Sequence, residues 1–248
     1  WDDLSFGSLR QTERLVDAII ESGLTFSWTA AVRVDLLGNP KYPYERRLSL
    51  AKKMKESGCV NLGFSLESGS QEVLDLMEKK INPEYFIDQI EILDKAGIAS
   101  STSVVFGYPN ETLKTIGETF QMALRSGVYP SMGYLLPLPR TKMYEYAREN
   151  DLIADENEFL DSITERQDLC INMTQLETDE ILGAIEQGAA TLNEAFKLGL
   201  DRKSLIKTGG YRKHSTKNKN ENKFVKSKKL KRNQNDFSFN YSQAVFKK

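Results

Sequence analysis

The sequence predicts an α/β protein built around a parallel sheet, and three observations carry that prediction. Four short runs rich in β-branched, aromatic and aliphatic residues recur along roughly the first 140 positions. Segments with apolar residues at helical spacing separate them, and Gly, Pro or Asn marks each change. Over 248 residues, a hydrophobic content of 40% is enough to bury a core under such an arrangement.

The elements follow in order. "LRQTERLVDAII" places Leu9, Leu15, Val16, Ile19 and Ile20 on one side of a helix that Gly23 stops. "FSWTAAVRVDLL" is a strand, "YERRLSLAKKMKESG" a second amphipathic helix ending at Gly58, and "CVNLGFSL" the next strand. Helices are expected over 70–79 and 83–96, the second opened by Asn82 and Pro83 and closed by Gly97. "IASSTSVVFG" is a strand, "ETLKTIGETFQMALRSG" a helix, "PSMGYLLPLP" the last strand and "TKMYEYAREN" a short helix behind it. From Leu152 to about Leu198 the pattern turns helical and acidic, with "TDEILGAIEQGAATLNEAFKLG" as one long amphipathic helix. The expected organisation is therefore a barrel-like core over 1–150, a helical extension over 151–206 and a separate tail over 207–248.

Charge sets that tail apart. Between Lys207 and Arg232 there are eleven Lys or Arg against the single acid Glu221, so the window carries +10 and the other residues −11. Low hydrophobicity with high charge cannot offset the entropy of ordering, so the tail is expected to be disordered. Such an arm can contact nucleic acid or another polyanion, but solvation is the favoured reading. No run approaches the length of a membrane span and no basic-then-apolar leader opens the chain, so no membrane partner is expected and the cytoplasm is the expected compartment. Cys59 and Cys170 stand in aliphatic contexts and read as buried small residues rather than a disulfide.

In a parallel sheet covered by helices, chemistry gathers at the carboxyl ends of the strands. There stand Arg33 and Asp35; Glu67 with Ser68, Gly69 and Ser70; Ser103, Gly107, Tyr108, Pro109, Glu111 and Thr112; and Leu136, Pro137 and Pro139. Ser68 or Ser70 reads as a helix N-cap, with Gln71 able to close a capping box on Ser68, and Thr112 caps the following helix. Glu67 has no such account. It precedes the helix, so it needs a donor, and an ion pair with Arg33 competes with a ligand for that role. The only histidine, His214, lies in the tail, which removes the parts for a serine triad or a histidine-rich zinc site. No phosphate-cradling glycine loop is present either. What remains is a carboxylate, hydroxyls and backbone, a set suited to an amine, a ribose and an adenine.

"GFSLESGSQEVLDLMEKK", "SSTSVVFGYPNETLKTIGETF" and "GYLLPLPRTKMYEYARENDLI", with "DDLSF", "WTAAVRVDLL" and "RQDLCINMT", resemble the radical S-adenosylmethionine (radical SAM) enzymes. The nearest branch is the one that often carries an amino-terminal cobalamin-binding domain, and the resemblance spans roughly 1 to 175. It implies a partial (β/α)6 TIM-like barrel, here lacking its first strand and leaving an unpaired edge, with S-adenosylmethionine across the top.

The cofactor residues it implies are Asp2 and Asp3 near the methionyl amine, Arg33 at a strand end, Glu67 and Ser103 at the ribose and Lys79 at the carboxylate. Ser68 stands beside Glu67, and Gly107 and Leu136 fall on the adenine side. Asn110 and Arg140 stand where the family has glycine, so Asn110 is expected to tolerate a positive φ and Arg140 to alter its turn.

The resemblance also implies reductive cleavage to a 5'-deoxyadenosyl radical, radical modification such as methylation of an unknown substrate, and a flavodoxin- or ferredoxin-like electron donor. Cobalamin is an optional further cofactor. It requires a [4Fe-4S] cluster on three cysteines of a CxxxCxxC loop, whereas Cys59 and Cys170 lie 111 positions apart. Truncation of a longer protein is the economical expectation, and the chain by itself is expected to hold no metal and not to cleave the cofactor. Two other readings stay open: a TIM-like enzyme without a cluster, and a degenerate barrel serving as an interaction module through its basic arm.

Overall fold

The computed structural model describes residues 5–163 and 168–206. Asp2, Asp3 and the basic tail lie outside the described residues. Four strands, β1 (Trp28–Ala31), β2 (Cys59–Glu67), β3 (Ala99–Phe106) and β4 (Ser131–Tyr134), pair in parallel in the order β1-β2-β3-β4. The sheet continues past β1 through a parallel bridge between Phe6 and Val32 and the bond from Ser5 N to Ala31 O, 2.7 Å.

Parallel neighbours need long crossovers, and helices supply them. α1 (Leu9–Glu21) starts at Ser8, whose side chain accepts from Gln11 N. α2 (Tyr44–Glu56), α4 (Glu84–Ala96) and α5 (Leu113–Ser126) each join consecutive strands, and the six-residue α3 (Gln71–Leu76) precedes α4. α6 (Lys142–Glu149), α7 (Glu156–Ser162) and α8 (Thr178–Ala195) follow the sheet. The helical layer runs α1 against α2, α2 against α4, α4 against α5 and α5 against α8. At Gly188 of α8 the ring of Phe120 occupies the space a Cβ would need, so the last helix docks closely. None of the described helices is long and apolar enough to cross a membrane.

The period-two alternation of the strands divides the sheet into two chemically different faces. Leu62, Phe64 and Leu66 of β2, Val104 and Phe106 of β3, and Met132 and Tyr134 of β4 are buried beneath the helices. Asn61, Gly63, Ser65, Ser101, Ser103 and Ser131 alternate with them and are not buried. A smaller core of Tyr144, Ala147, Phe159, Ile171 and Met173 sits among α6, α7 and the segment that follows.

Several expectations are corrected. The first strand stops at Ala31, with Val32 in the Phe6 bridge, because residues 33 to 37 turn to meet buried side chains described below. The helix expected over 70–79 ends at Leu76, where Glu78 takes a left-handed φ of 54°. Neither Ser68 nor Ser70 makes the expected side-chain cap of α3: Ser68 Oγ accepts from Ser70 N and bonds Thr119 Oγ1, and Gln71 Nε2 turns to Asp75 and Ile81 O. Thr112 does form a capping box, with Thr115. Asn110 has no positive φ; its amide donates to Glu72 O at 3.0 Å instead. Arg140 keeps the shape of a glycine turn at φ 69°, a conformation that costs a non-glycine residue about 1–2 kcal/mol.

Candidate functional site

Along the end of β1, the second half of β2, Ser101–Ser103 of β3 and Ser131 at the start of β4, the sheet opens into a cavity of about 520 Å³. Arg33, Ser65, Glu67, Lys79, Ser101, Ser103 and Ser131 supply its polar wall. Hydroxyls pair across the strands, Ser103 Oγ with Ser65 Oγ at 3.3 Å, while Asn61 Nδ2 donates to Ser101 Oγ at 3.2 Å.

Glu67 is the last residue of β2, at a break in register with β3, and its backbone lies in the left-handed region at φ 67°. A Glu there stores strain of the order of 1–2 kcal/mol, which glycine would avoid. The strained backbone and the carboxylate in the cavity wall occur together. Lys79 Nζ donates to Glu67 Oε1 at 2.9 Å, and the two side chains are 29% and 22% exposed. The competing expectation of an ion pair with Arg33 is therefore corrected: Arg33 Nε and Nη2 go to Asp35 Oδ1 and Oδ2 at 2.9 and 3.2 Å. The reason is local, since the turn after β1 brings Asp35 back beneath the guanidinium it follows by two positions.

That turn is clamped by groups the sequence reading passed over. Gln89 of α4, 0% exposed, accepts from Leu37 N at 2.8 Å and donates to Arg33 O at 3.2 Å. Arg47 of α2, also buried, donates to Leu37 O at 2.9 Å.

The predicted site residues divide. Arg33, Glu67, Lys79 and Ser103 converge on the cavity, while Ser68, Gly107 and Leu136 are not among the residues lining it. Ser68 is buried and directs its hydroxyl to Thr119 on α5, 3.2 Å away, so it packs the β2–α5 junction instead of facing a ligand. Gly107, at φ 105°, donates its N–H to Glu111 Oε2 at 2.5 Å. Glu111 is 1% exposed, and burial pushes its carboxyl up to about 7 although the backbone N–H groups of Gly107 and Tyr108 favour the charged form. Ser65, Ser101 and Ser131 were not singled out from the sequence. The alternation in "NLGFSLE" and "SSTSVV", small or polar against apolar, was the signal that could have found them.

The cysteines fit no shared metal site. Cys59 is fully buried at the opposite, amino end of β2, where burial pushes its thiol up to about 11. Cys170 is half-buried against the smaller core. Among the described residues no group of three or more His, Cys, Asp or Glu is placed to hold a metal ion.

Residues 10–123 match the model of the radical SAM superfamily. An uncharacterized methyltransferase of Pyrococcus horikoshii is 32% identical over 140 residues, which are 56% of this chain and 28% of the relative. The chain thus spans less than a third of that relative's length. Two solved structures are also similar. Coproporphyrinogen III oxidase (HemN) from Escherichia coli, described as a radical SAM enzyme, aligns at 13% identity over 76% of this chain and 38% of its own, TM-score 0.49. The cobalamin-dependent S-adenosylmethionine radical enzyme OxsB, with aqua-cobalamin and S-adenosylmethionine bound, aligns at 17% identity over 62% and 21%, TM-score 0.43. The match to the radical SAM superfamily spans residues 10–123, a little under half of the chain, and it is to that superfamily that this stretch is similar.

Proposed function

We propose that this chain forms the S-adenosylmethionine-holding wall of a radical SAM enzyme that modifies its substrate by methyl transfer. One observation carries the reading: Glu67 is held in a conformation that costs a glutamate energy, in the wall of a cavity that also presents hydroxyls, with Lys79 beside it. The donor set suits this cofactor. Glu67 would accept from the ribose hydroxyls, Ser103 would offer a further ribose contact, and Lys79 would face the methionyl carboxylate. Gly107 and Leu136, outside the lining of the cavity, remain the adenine-side residues by resemblance alone. Methyl transfer draws its support from the relative in Pyrococcus horikoshii.

When bound and reduced, S-adenosylmethionine supplies a carbon radical, and the chain's own work is to bind, orient and shield it. The cysteines here do not fit a [4Fe-4S] cluster, so we take its thiolates to come from outside these 248 residues, and the chain alone is inert in cofactor cleavage. Titration of the chain with S-adenosylhomocysteine tests the reading. Saturable binding lost in Glu67→Ala is expected. Binding that is absent, or indifferent to Glu67, refutes it.

A further inference from the structure

We infer that Arg33 is the recognition post for an anionic group, a carboxylate or phosphate, on the substrate and not on the cofactor. The inference rests on the cofactor placement above and deepens it by naming the substrate's chemistry.

Arg33 lines the cavity and is the most exposed of the charged residues in its wall. Exposure rises from Glu67 at 22% through Lys79 at 29% to Arg33 at 41%. The guanidinium is fixed in plane, with Nε and Nη2 bound by the Asp35 carboxylate and Nη2 also reaching Lys80 O at 3.3 Å. Both N–H groups of Nη2 are thereby taken, and among the described residues Nη1 makes no hydrogen bond, so its two N–H groups are the donors left for a ligand. A guanidinium held in this way loses little further freedom when Nη1 donates to an oxyanion.

A structural ion pair closing a turn would explain the bond to Asp35. It does not explain the clamp behind it. Gln89 and Arg47 are buried polar side chains committed to the backbone of residues 33 to 37, and buried polar groups are costly unless their geometry is kept. Gly38 completes the clamp by lying directly against the carbonyl of Tyr85, where a Cβ would collide. The fold thus fixes the position of one half-exposed cation in the cavity wall. With Lys79 bonded to Glu67 and assigned to the cofactor's carboxylate, Arg33 is the more exposed of the two cations in the cavity wall and the one left for the substrate.

Binding of pyrophosphate and of glutarate to the 248-residue chain tests the assignment, measured by calorimetry beside S-adenosylhomocysteine. At least one of the two anions is expected to bind, and the stronger names the source as phosphate or carboxylate. Arg33→Ala should weaken that anion at least tenfold, with Arg33→Lys intermediate, and should leave S-adenosylhomocysteine affinity within twofold. Loss of S-adenosylhomocysteine affinity in Arg33→Ala would reassign the residue to the cofactor and overturn the inference, as would anion affinity unchanged in Arg33→Ala or absent throughout. Arg33-dependent anion binding without S-adenosylhomocysteine binding in the parent chain would uphold Arg33 as an anion post while refuting the cofactor reading.

Discussion

Glu67→Gly and Glu67→Ala should separate the energetic cost of this residue from its use. Removing the side chain forfeits the ion pair with Lys79, which at this partial exposure contributes up to about 1 kcal/mol. Alanine keeps the left-handed strain, so Glu67→Ala is expected to be less stable than the parent by about 1 kcal/mol. Glycine removes strain of about 1–2 kcal/mol but increases the freedom of the unfolded chain by about 0.5–1 kcal/mol. Glu67→Gly should therefore lie close to the parent and about 0.5–1 kcal/mol above Glu67→Ala, a difference of roughly 1–4 °C in Tm for a domain of this size. Both variants lose the carboxylate, and one charged hydrogen bond of about 1.5–3 kcal/mol corresponds to roughly a 10- to 150-fold loss of S-adenosylhomocysteine affinity. Thermal and urea unfolding give the stabilities, and calorimetry gives the affinity. If Glu67→Gly is less stable than Glu67→Ala, the strain argument is wrong. If either variant binds as tightly as the parent, the placement of Glu67 on the cofactor is wrong.

Two further outcomes are expected. Glu111 has a folded pKa of about 7, raised from 4.5 by burial, so its contribution to stability is fully present below about pH 4.5 and is lost as pH rises through about 7. The difference is on the order of 3 kcal/mol, and urea unfolding of the parent and Glu111→Gln should show the parent losing stability relative to the variant between those limits; parallel pH profiles would contradict the shift. Gly188→Ala would drive a Cβ into the Phe120 ring and separate α8 from α5, costing about 1–3 kcal/mol with a matching fall in Tm, and an unchanged Tm would mean that the junction yields easily.

How much of this was legible in the sequence depends on the range of the interaction. The alternation of strands and helices, the Thr112 cap and the stop at Gly97 are local, and the structure carries them as read. Glu67 stood out because a carboxylate at a strand end has no local partner, yet the sequence offered Arg33 or a ligand for that place, whereas the folded chain supplies Lys79. Lys79 wins because the chain turns back after α3, at the left-handed Glu78, a backbone choice that apolar periodicity does not encode. Gln89 was unreadable for the same reason. On an amphipathic helix a glutamine looks like part of the solvated face, and only the packing of α4 against the turn after β1 buries it and gives it two backbone partners. Ser68 shows the opposite error. Its place beside Glu67 suggested a ligand, but adjacent residues at a strand end point in different directions, and this one points into the α5 junction.

A crystal of the chain soaked with S-adenosylhomocysteine is the most direct measurement. The account predicts the nucleoside in the cavity lined by the ends of β1 and β2 and by Ser101–Ser103 of β3, its ribose against Glu67 and Ser103 and its carboxylate toward Lys79. Density for the nucleoside at any other place, or a cavity left empty at saturating ligand, would contradict it.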